Sequence, residues 1–228
     1  MKILIIVAHP DDETIGCGGA IVYHKKLKHK IEAVSFTDGV SARNLKDNKL
    51  NDSSIIKLRR KNSILASKIL GFKWLENFKY PDNELDSISI LNIVKKIEQI
   101  SKKFKPDIVY THHIGDLNID HHIISKACLT AFRPLNKTKK TEIRFFEIPS
   151  STDFAAYKIS PNFKPNLFID ISKFWQKKKS ALLAYKKEMM NYPNSRSLSG
   201  IENLAKYRGN SVGLKMAESF EIVRQIIS

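Results

Sequence analysis

The chain opens on a run that is apolar at every position, Ile3-Leu4-Ile5-Ile6-Val7. An unbroken β-branched run without alternation predicts a strand covered on both faces, as in a parallel sheet. Polar residues His9 to Glu13 and the glycines Gly16, Gly18 and Gly19 follow, then a helical stretch through Ile21, Val22 and Leu27, then a second apolar run, Ile31 to Phe36, ending in Thr37-Asp38-Gly39. Strand, helix and strand in this order make a βαβ unit. The pattern continues with a helix over Ile55 to Leu70 closed by Gly71, a strand over Phe72 to Phe78, a helix over Ile88 to Phe104 and a strand over Asp107 to Thr111. A helix over Ile119 to Phe132 and strands over Ile143 to Ile148 and Leu167 to Ile171 come next. Between Ser172 and Tyr185 the apolar residues fall at helical spacing, and a second helix holding Leu204, Ala205 and Tyr207 ends near Gly209; both read as core packing. Ser219 to Val223 alternates like a strand. The expected fold class is α/β, a mostly parallel sheet with helices on both faces. No repeat or linker divides the pattern, so one domain over residues 1–228 is expected, with its C-terminal part (about 172–228) packing on or near the substrate crevice.

With 228 residues and 42% hydrophobic content the chain can bury one sizeable core, which excludes disorder and collagen-like repeats. Lys and Arg exceed Asp and Glu by 39 to 23, a net charge of +16. Such an excess favours anionic partners. The lysine pairs and the triplet Lys177-Lys179 are scattered, however, with no stripe interleaved with aromatics, so nucleic acid is not an expected partner. Cys17 and Cys128 are too few for a disulfide framework or a four-thiolate zinc site, and they fit a reducing cytoplasm. The N-terminal apolar run is too short for a signal peptide or a membrane span. Self-association is left open.

In open α/β sheets the ligand crevice lies beyond the carboxyl ends of the strands. His9-Pro10-Asp11-Asp12-Glu13 stands there after the first strand, four ionisable groups in five positions. Such a group calls for a cation to offset its carboxylates. After the strand ending at Thr111, residues 112–122 hold four histidines and two aspartates. Two His/Asp clusters at strand ends point to a metal site. Residues three apart in a turn leaving a strand converge, which makes His9 and Asp12 a ligand pair and leaves Asp11 beside the metal as candidate general base. On a helix starting near Ile119, at about 100° per residue, Ile123, Ala127 and Ala131 surround an inward face centred near Asp120, with His121 flanking it and His122 solvated. His121 is therefore the third expected ligand, and Asp120 a group holding a ring or the base in place. Three protein ligands and an open position are the arrangement of catalytic Zn2+, suited to amide or ester hydrolysis.

The chain resembles the PIG-L/LmbE-like metal-dependent de-N-acetylases. The likeness rests on Ala8-His9-Pro10-Asp11-Asp12-Glu13, Thr37-Asp38-Gly39 and Asn118-Ile119-Asp120-His121. It extends through Arg59, Leu70-Gly71, Tyr80-Pro81-Asp82-Asn83, Tyr192-Pro193, Arg196-Ser197, Arg208-Gly209 and Ala217-Glu218. The resemblance implies a Rossmann-like fold, zinc at His9, Asp12 and His121, Asp11 as base, and an N-acetylated amino sugar or its conjugate as substrate. Members of that family often carry, where Asn118 stands, a histidine that assists the tetrahedral intermediate, so the resemblance implies a catalytic place for Asn118, whose amide donates a hydrogen bond without carrying a proton. His112 or His113 is then expected to compensate near the substrate, or Asp11 to act alone. Asn62 and Asn194 are further departures, which bear on the substrate rather than on the ligands.

Arg59, Arg196 and Arg208 are candidates to grip sugar hydroxyls or a phosphate through their planar forks of donors, the alternative being surface ion pairs. Asp38 is a candidate substrate contact or a turn residue of Asp-Gly. Gly16, Gly18 and Gly19 depart from a dinucleotide fingerprint and read as tight helix entry; Cys17 reads as packing. Two other functions compete with hydrolysis: a non-haem iron enzyme using two histidines and a carboxylate, and a non-catalytic module binding an anionic polymer around a structural metal.

Overall fold

The computed structural model describes residues 1–43, 52–135, 140–156 and 160–227; Lys139 of the basic pair Lys139-Lys140 lies outside them. In chain order the elements are β1 (Lys2–Val7), α1 (Asp12–Lys26), β2 (Lys30–Thr37), α2 (Asp52–Leu70), β3 (Lys73–Tyr80), α3 (Ile90–Phe104), β4 (Ile108–His112) and α4 (Ile119–Ala131). Then come β5 (Glu142–Phe146), β6 (Leu167–Asp170), α5 (Trp175–Ala184), α6 (Leu198–Asn210) and β7 (Ala217–Arg224). One seven-stranded sheet runs β3-β2-β1-β4-β5-β7-β6. Its first five strands are parallel, and β7 runs antiparallel to both β5 and β6.

The unbroken apolar run of β1 is explained by two cores. Ile3, Ile5 and Val7 face a core with Ile21, Leu70, Leu182 and Tyr185; Leu4, Ile6 and Ala8 face a second with Ile93, Ile97, Ile124 and Cys128. A strand between two helix layers has no polar face. Because β2 lies on one side of β1 and β4 on the other, the chain reverses its direction of sheet growth there, and the ends of β1 and β4 beyond Val7 and His112 are where such a sheet builds its ligand site.

Helix α1 begins at Asp12, inside the polar stretch, and the three glycines lie within it rather than at its entry. Its backbone breaks at Cys17, where φ is −143°. The groups freed by the break are taken by a buried ion pair: Glu218 accepts the Gly19 and Ala20 N–H groups at 2.7 Å each, and Lys178 Nζ donates to the Ile15 carbonyl at 2.7 Å while lying 2.6 Å from Glu218. An orphaned helical donor or acceptor in this interior would be costly, so the pair splices the two halves. A Cβ at Gly16 would stand 2.3 Å from the Phe146 ring, and one at Gly19 would stand 2.4 Å from Ile171 Cγ2. On α4 the inward face is turned one position from expectation, with Ile124, Ala127 and Cys128 buried and Ile123 and Ala131 only partly so.

Tyr110 Oη receives Arg144 Nη1 at 2.6 Å and lies 2.8 Å from His24 Nε2, and the other ring nitrogen of His24, Nδ1, lies 3.0 Å from His29 Nδ1. Burial, with Arg144 and His29 nearby, pushes the His24 imidazole down to about 3.

Two outcomes follow from this packing. Gly19→Ala is expected to destabilise the fold by about 1–3 kcal/mol, read as a lower melting temperature, because Ile171 and Glu218 both have to move. Since folding holds His24 below its unfolded value, its contribution is whole above about pH 6.5 and is lost as the pH falls toward 3. The melting temperature of His24→Gln is therefore expected to fall less than the wild type's between about pH 6.5 and pH 4.

Candidate metal centre

Two turns build the site. Beyond β1 the chain passes Asp11 with φ 146° and ψ −25°, and α1 starts at once. That sharp turn carries the Asp12 carboxylate back over His9, where Oδ2 accepts the His9 backbone N–H at 2.8 Å. Beyond β4, Asn118 caps α4: its Oδ1 accepts from the Asp120 N–H at 2.9 Å and the His121 N–H at 3.4 Å, while its Nδ2 donates to Asn83 Oδ1 at 2.9 Å. The cap sets Asp120 and His121 in the first helical turn, facing β1.

His9 Nδ1, Asp12 Oδ2 and His121 Nε2 form a triangle with sides of 3.1, 3.2 and 3.4 Å. Ligands in tetrahedral contact with zinc, about 2.0–2.1 Å from the ion, stand about 3.3 Å from one another. The far nitrogens are occupied. His9 Nε2 lies 3.0 Å from Asp82 Oδ1 and 3.0 Å from Asp120 Oδ2, and His121 Nδ1 lies 3.1 Å from Asp116 Oδ1. A hydrogen bond on one ring nitrogen selects the tautomer, so protons on these far nitrogens turn two lone pairs toward each other and toward a carboxylate. Such a grouping demands a positive charge at its centre. Asp12 Oδ1, buried and without a hydrogen-bond partner, adds a further donor atom. His9, Asp82 and Asp120 also group closely enough for a cation, but there His9 Nε2 is already served by both acids.

The titration behaviour has the same cause. Burial opposes charge on His9, yet Asp12, Asp120 and Asp82 outweigh it and hold the imidazole well above its ordinary range. Against the same burial, Asp116 and Asp12 raise His121 to about 9. Burial also resists charge on Asp12, but His121, His112 and His9 keep its carboxyl well below the usual range. His112 goes the other way: burial and the neighbouring His121 push it well below, leaving it neutral. It stacks on His121 with ring centres 3.8 Å apart, and its Nε2 accepts the Ala8 N–H at 2.9 Å. It therefore underlies the triangle, fully buried, rather than facing an open crevice.

Asp11 is buried between two arginines, Oδ1 being 3.0 Å from Arg59 Nη2 and Oδ2 2.6 Å from Arg196 Nη2. Arg59 also meets Glu188 at 2.5 Å, and its guanidinium lies 5.5 Å from the centre of the Tyr185 ring. Glu13, also buried, accepts the Asp11 N–H at 3.0 Å and the hydroxyls of Thr14 and Tyr185 at 2.7 and 3.0 Å. Burial and the charge of Asp11 push its carboxyl up to about 7 against the pull of those hydroxyls.

The other expected residues lie as follows. Asp38 accepts from the backbone of Val40 and Ser41 at 2.9 and 3.0 Å, as a turn residue does. With Pro10, Thr37 and Arg59 it also walls one end of a cavity of about 590 Å³ between α2 and β3. His113 and Arg208 are not brought to the triangle. Consecutive residues leaving a strand point to opposite sides, so His113 turns to the Pro161 carbonyl, 2.9 Å away, and to Glu221. Arg208 forms a two-point contact with Glu147 at 2.8 and 2.6 Å beside Phe163. His122 is half-buried against the Asp116 carbonyl, not solvated. Asp82, Asp116, Glu13, Tyr185 and Glu188 are parts of the site without an assigned role in the sequence reading. Asp82 and Asp116 stand in stretches already conspicuous there, whereas Tyr185 and Glu188 carry no local signal.

Residues 4–132 match the family model described as PIG-L: GlcNAc-PI de-N-acetylase. A probable N-acetyl-alpha-D-glucosaminyl L-malate deacetylase 2 of Bacillus cereus is 23% identical over 188 residues, 82% of this chain and 83% of that protein. A 4-oxalmesaconate hydratase of Pseudomonas putida is 24% identical over 191 residues, 78% of this chain and 70% of that one. Among solved structures, the N,N'-diacetylchitobiose deacetylase of Pyrococcus horikoshii superimposes with a TM-score of 0.77 at 21% identity, covering 97% of this chain and 83% of that one, a likeness of fold. The family match takes in both turns and all three members of the triangle: the chain belongs to the PIG-L family of LmbE-like de-N-acetylases.

Proposed function

We propose that the chain is a zinc-dependent amide hydrolase that removes the acetyl group from an N-acetylated amino sugar or its conjugate. The observation that carries this reading is the triangle of His9 Nδ1, Asp12 Oδ2 and His121 Nε2, with sides matching the ligand spacing of zinc and Asp11 adjoining in sequence. A zinc ion held there supplies a Lewis acid for the acetyl carbonyl and lowers the pKa of water. Asp82 and Asp120 hold the His9 ring, Asp116 holds His121, and Asn118 fixes the start of α4 that carries it. Asp11 accepts the proton of the attacking water and returns it to the leaving amine, one carboxylate serving both steps. To do so it releases one guanidinium. Arg196, with 17% of its side chain exposed against 3% for Arg59, is the partner better able to turn toward substrate hydroxyls or a phosphate. Arg196 belongs to the last quarter of the single domain, so residues 172–228 form one wall of the crevice in this reading.

The net charge of +16 supports an anionic, for instance phosphorylated, conjugate. Both cysteines are free and buried, in keeping with a reducing cytoplasm, and no helix among the described residues is long and apolar enough to cross a membrane.

Purified protein is to be analysed for bound metal and assayed for acetate release from a panel of N-acetylated hexosamines and their phosphorylated or carboxylated conjugates. An unsaturated oxo-acid belongs in the panel, since a hydratase is among the relatives. Zinc with acetate release is the expected outcome; hydration alone, iron with oxygen-dependent turnover, or metal without any turnover would each contradict it. Asp11→Asn is expected to keep its metal and lower kcat by about 10²–10⁴-fold. His121→Ala is expected to lose metal and activity together, and wild-type turnover by Asp11→Asn would remove the base from this scheme.

A further inference from the structure

The backbone of Asp11 needs an explanation of its own. Its φ of 146° lies where residues with a Cβ seldom settle, so the surrounding contacts must hold it there. One contact reaches the main chain: the Asp11 N–H donates to Glu13 Oε2 at 3.0 Å. The other oxygen of Glu13 is pinned by two hydroxyls, those of Thr14 and of Tyr185, at 2.7 and 3.0 Å. A second contact reaches the Asp11 side chain through Arg59, whose guanidinium lies over the Tyr185 ring. Tyr185, the residue just after α5 and 1% exposed, thus closes a ring of contacts that runs Asp11, Glu13, Tyr185, Arg59 and back to Asp11.

We infer that Tyr185 is a positioning residue, which through Glu13 and Arg59 fixes the backbone turn and the carboxylate direction of Asp11; the inference rests on the reading of Asp11 as the base. Packing alone would be served by phenylalanine, which fills the same space and buries no hydroxyl. Here the hydroxyl is spent on Glu13, the side chain that grips the strained peptide. The strut acts on direction, so its loss affects the chemical step more than substrate binding or metal retention.

Tyr185→Phe removes the hydroxyl and leaves the ring under Arg59. Its crystal structure is expected to show the Asp11 φ relaxed out of the positive region, or its carboxylate shifted from Arg59. Its kcat on the best-used N-acetylhexosamine of the panel is expected to fall about tenfold with KM and metal content unchanged. In an Asp11→Asn background the same change is expected to cost nothing more, because the hydroxyl works through that carboxylate. Thr14→Val, nearly isosteric and loosening the same Glu13 oxygen, serves as second variant should Tyr185→Phe fail to fold, with the same expected pattern. Losses that multiply in the double variant, or an Asp11 unmoved with kcat intact, overturn the inference. Wild-type turnover by Asp11→Asn overturns it together with the base assignment. If no N-acetylated sugar is hydrolysed, the proposed reaction fails by itself, and the position of Asp11 in the variant still decides whether the strut exists.

Discussion

The site depends on one electrostatic constraint: two imidazole nitrogens and a carboxylate oxygen, all buried, converge within 3.1 to 3.4 Å of one another. Without a positive charge at the centre these groups repel one another, and burial removes the water that would screen them. Their convergence is imposed from outside. Asp82 and Asp120 occupy the far side of His9, and Asp116 the far side of His121, itself held by the hydroxyls of Ser151 and Thr152. Every one of these acids sits on a turn beyond a strand or at the start of α4, so the parallel sheet is what brings them together.

The switch in strand order beside β1 does the rest. A loop after β1 and a loop after β4 adjoin because the two strands pair, with Ile3 opposite Ile108 and Ile5 opposite Tyr110. Residues more than a hundred positions apart become neighbours by register alone. The C-terminal third joins from the other side: Tyr185, Glu188 and Arg196 reach Glu13, Arg59 and Asp11. Glu218 and Lys178 meanwhile tie β7 and α5 to the break in α1. The helix bearing Asp12 is thereby held at its start and at its break.

Much of this was legible in the chain. The run Ile3 to Val7 announces a central strand, and the polar residues after it announce the crevice, because burial on both faces and chemistry at strand ends leave plain patterns. Parity was the weak point. Whether His112 or His113 enters the site depends on where β4 stops, and one residue turns the imidazole from Asp12 to Pro161. The tilt of α4 was off by one position for the same reason, which exchanged Ile123 for Ile124 on its inner face. Nothing local marks Tyr185, an aromatic at helical spacing like any core residue; its part in the site exists only through a contact to Glu13, 172 positions earlier. The glycines of α1 looked like an entry turn, and their use is lateral, admitting Phe146 and Ile171 against the helix.

The most direct measurement is anomalous diffraction from crystals of the zinc-loaded protein, recorded on both sides of the zinc edge. One peak bounded by His9 Nδ1, Asp12 Oδ2 and His121 Nε2, with its remaining coordination taken by solvent, is the predicted result. A peak seated between Asp82 and Asp120, a fourth protein side chain completing the ion's coordination, or no peak at all would contradict the account.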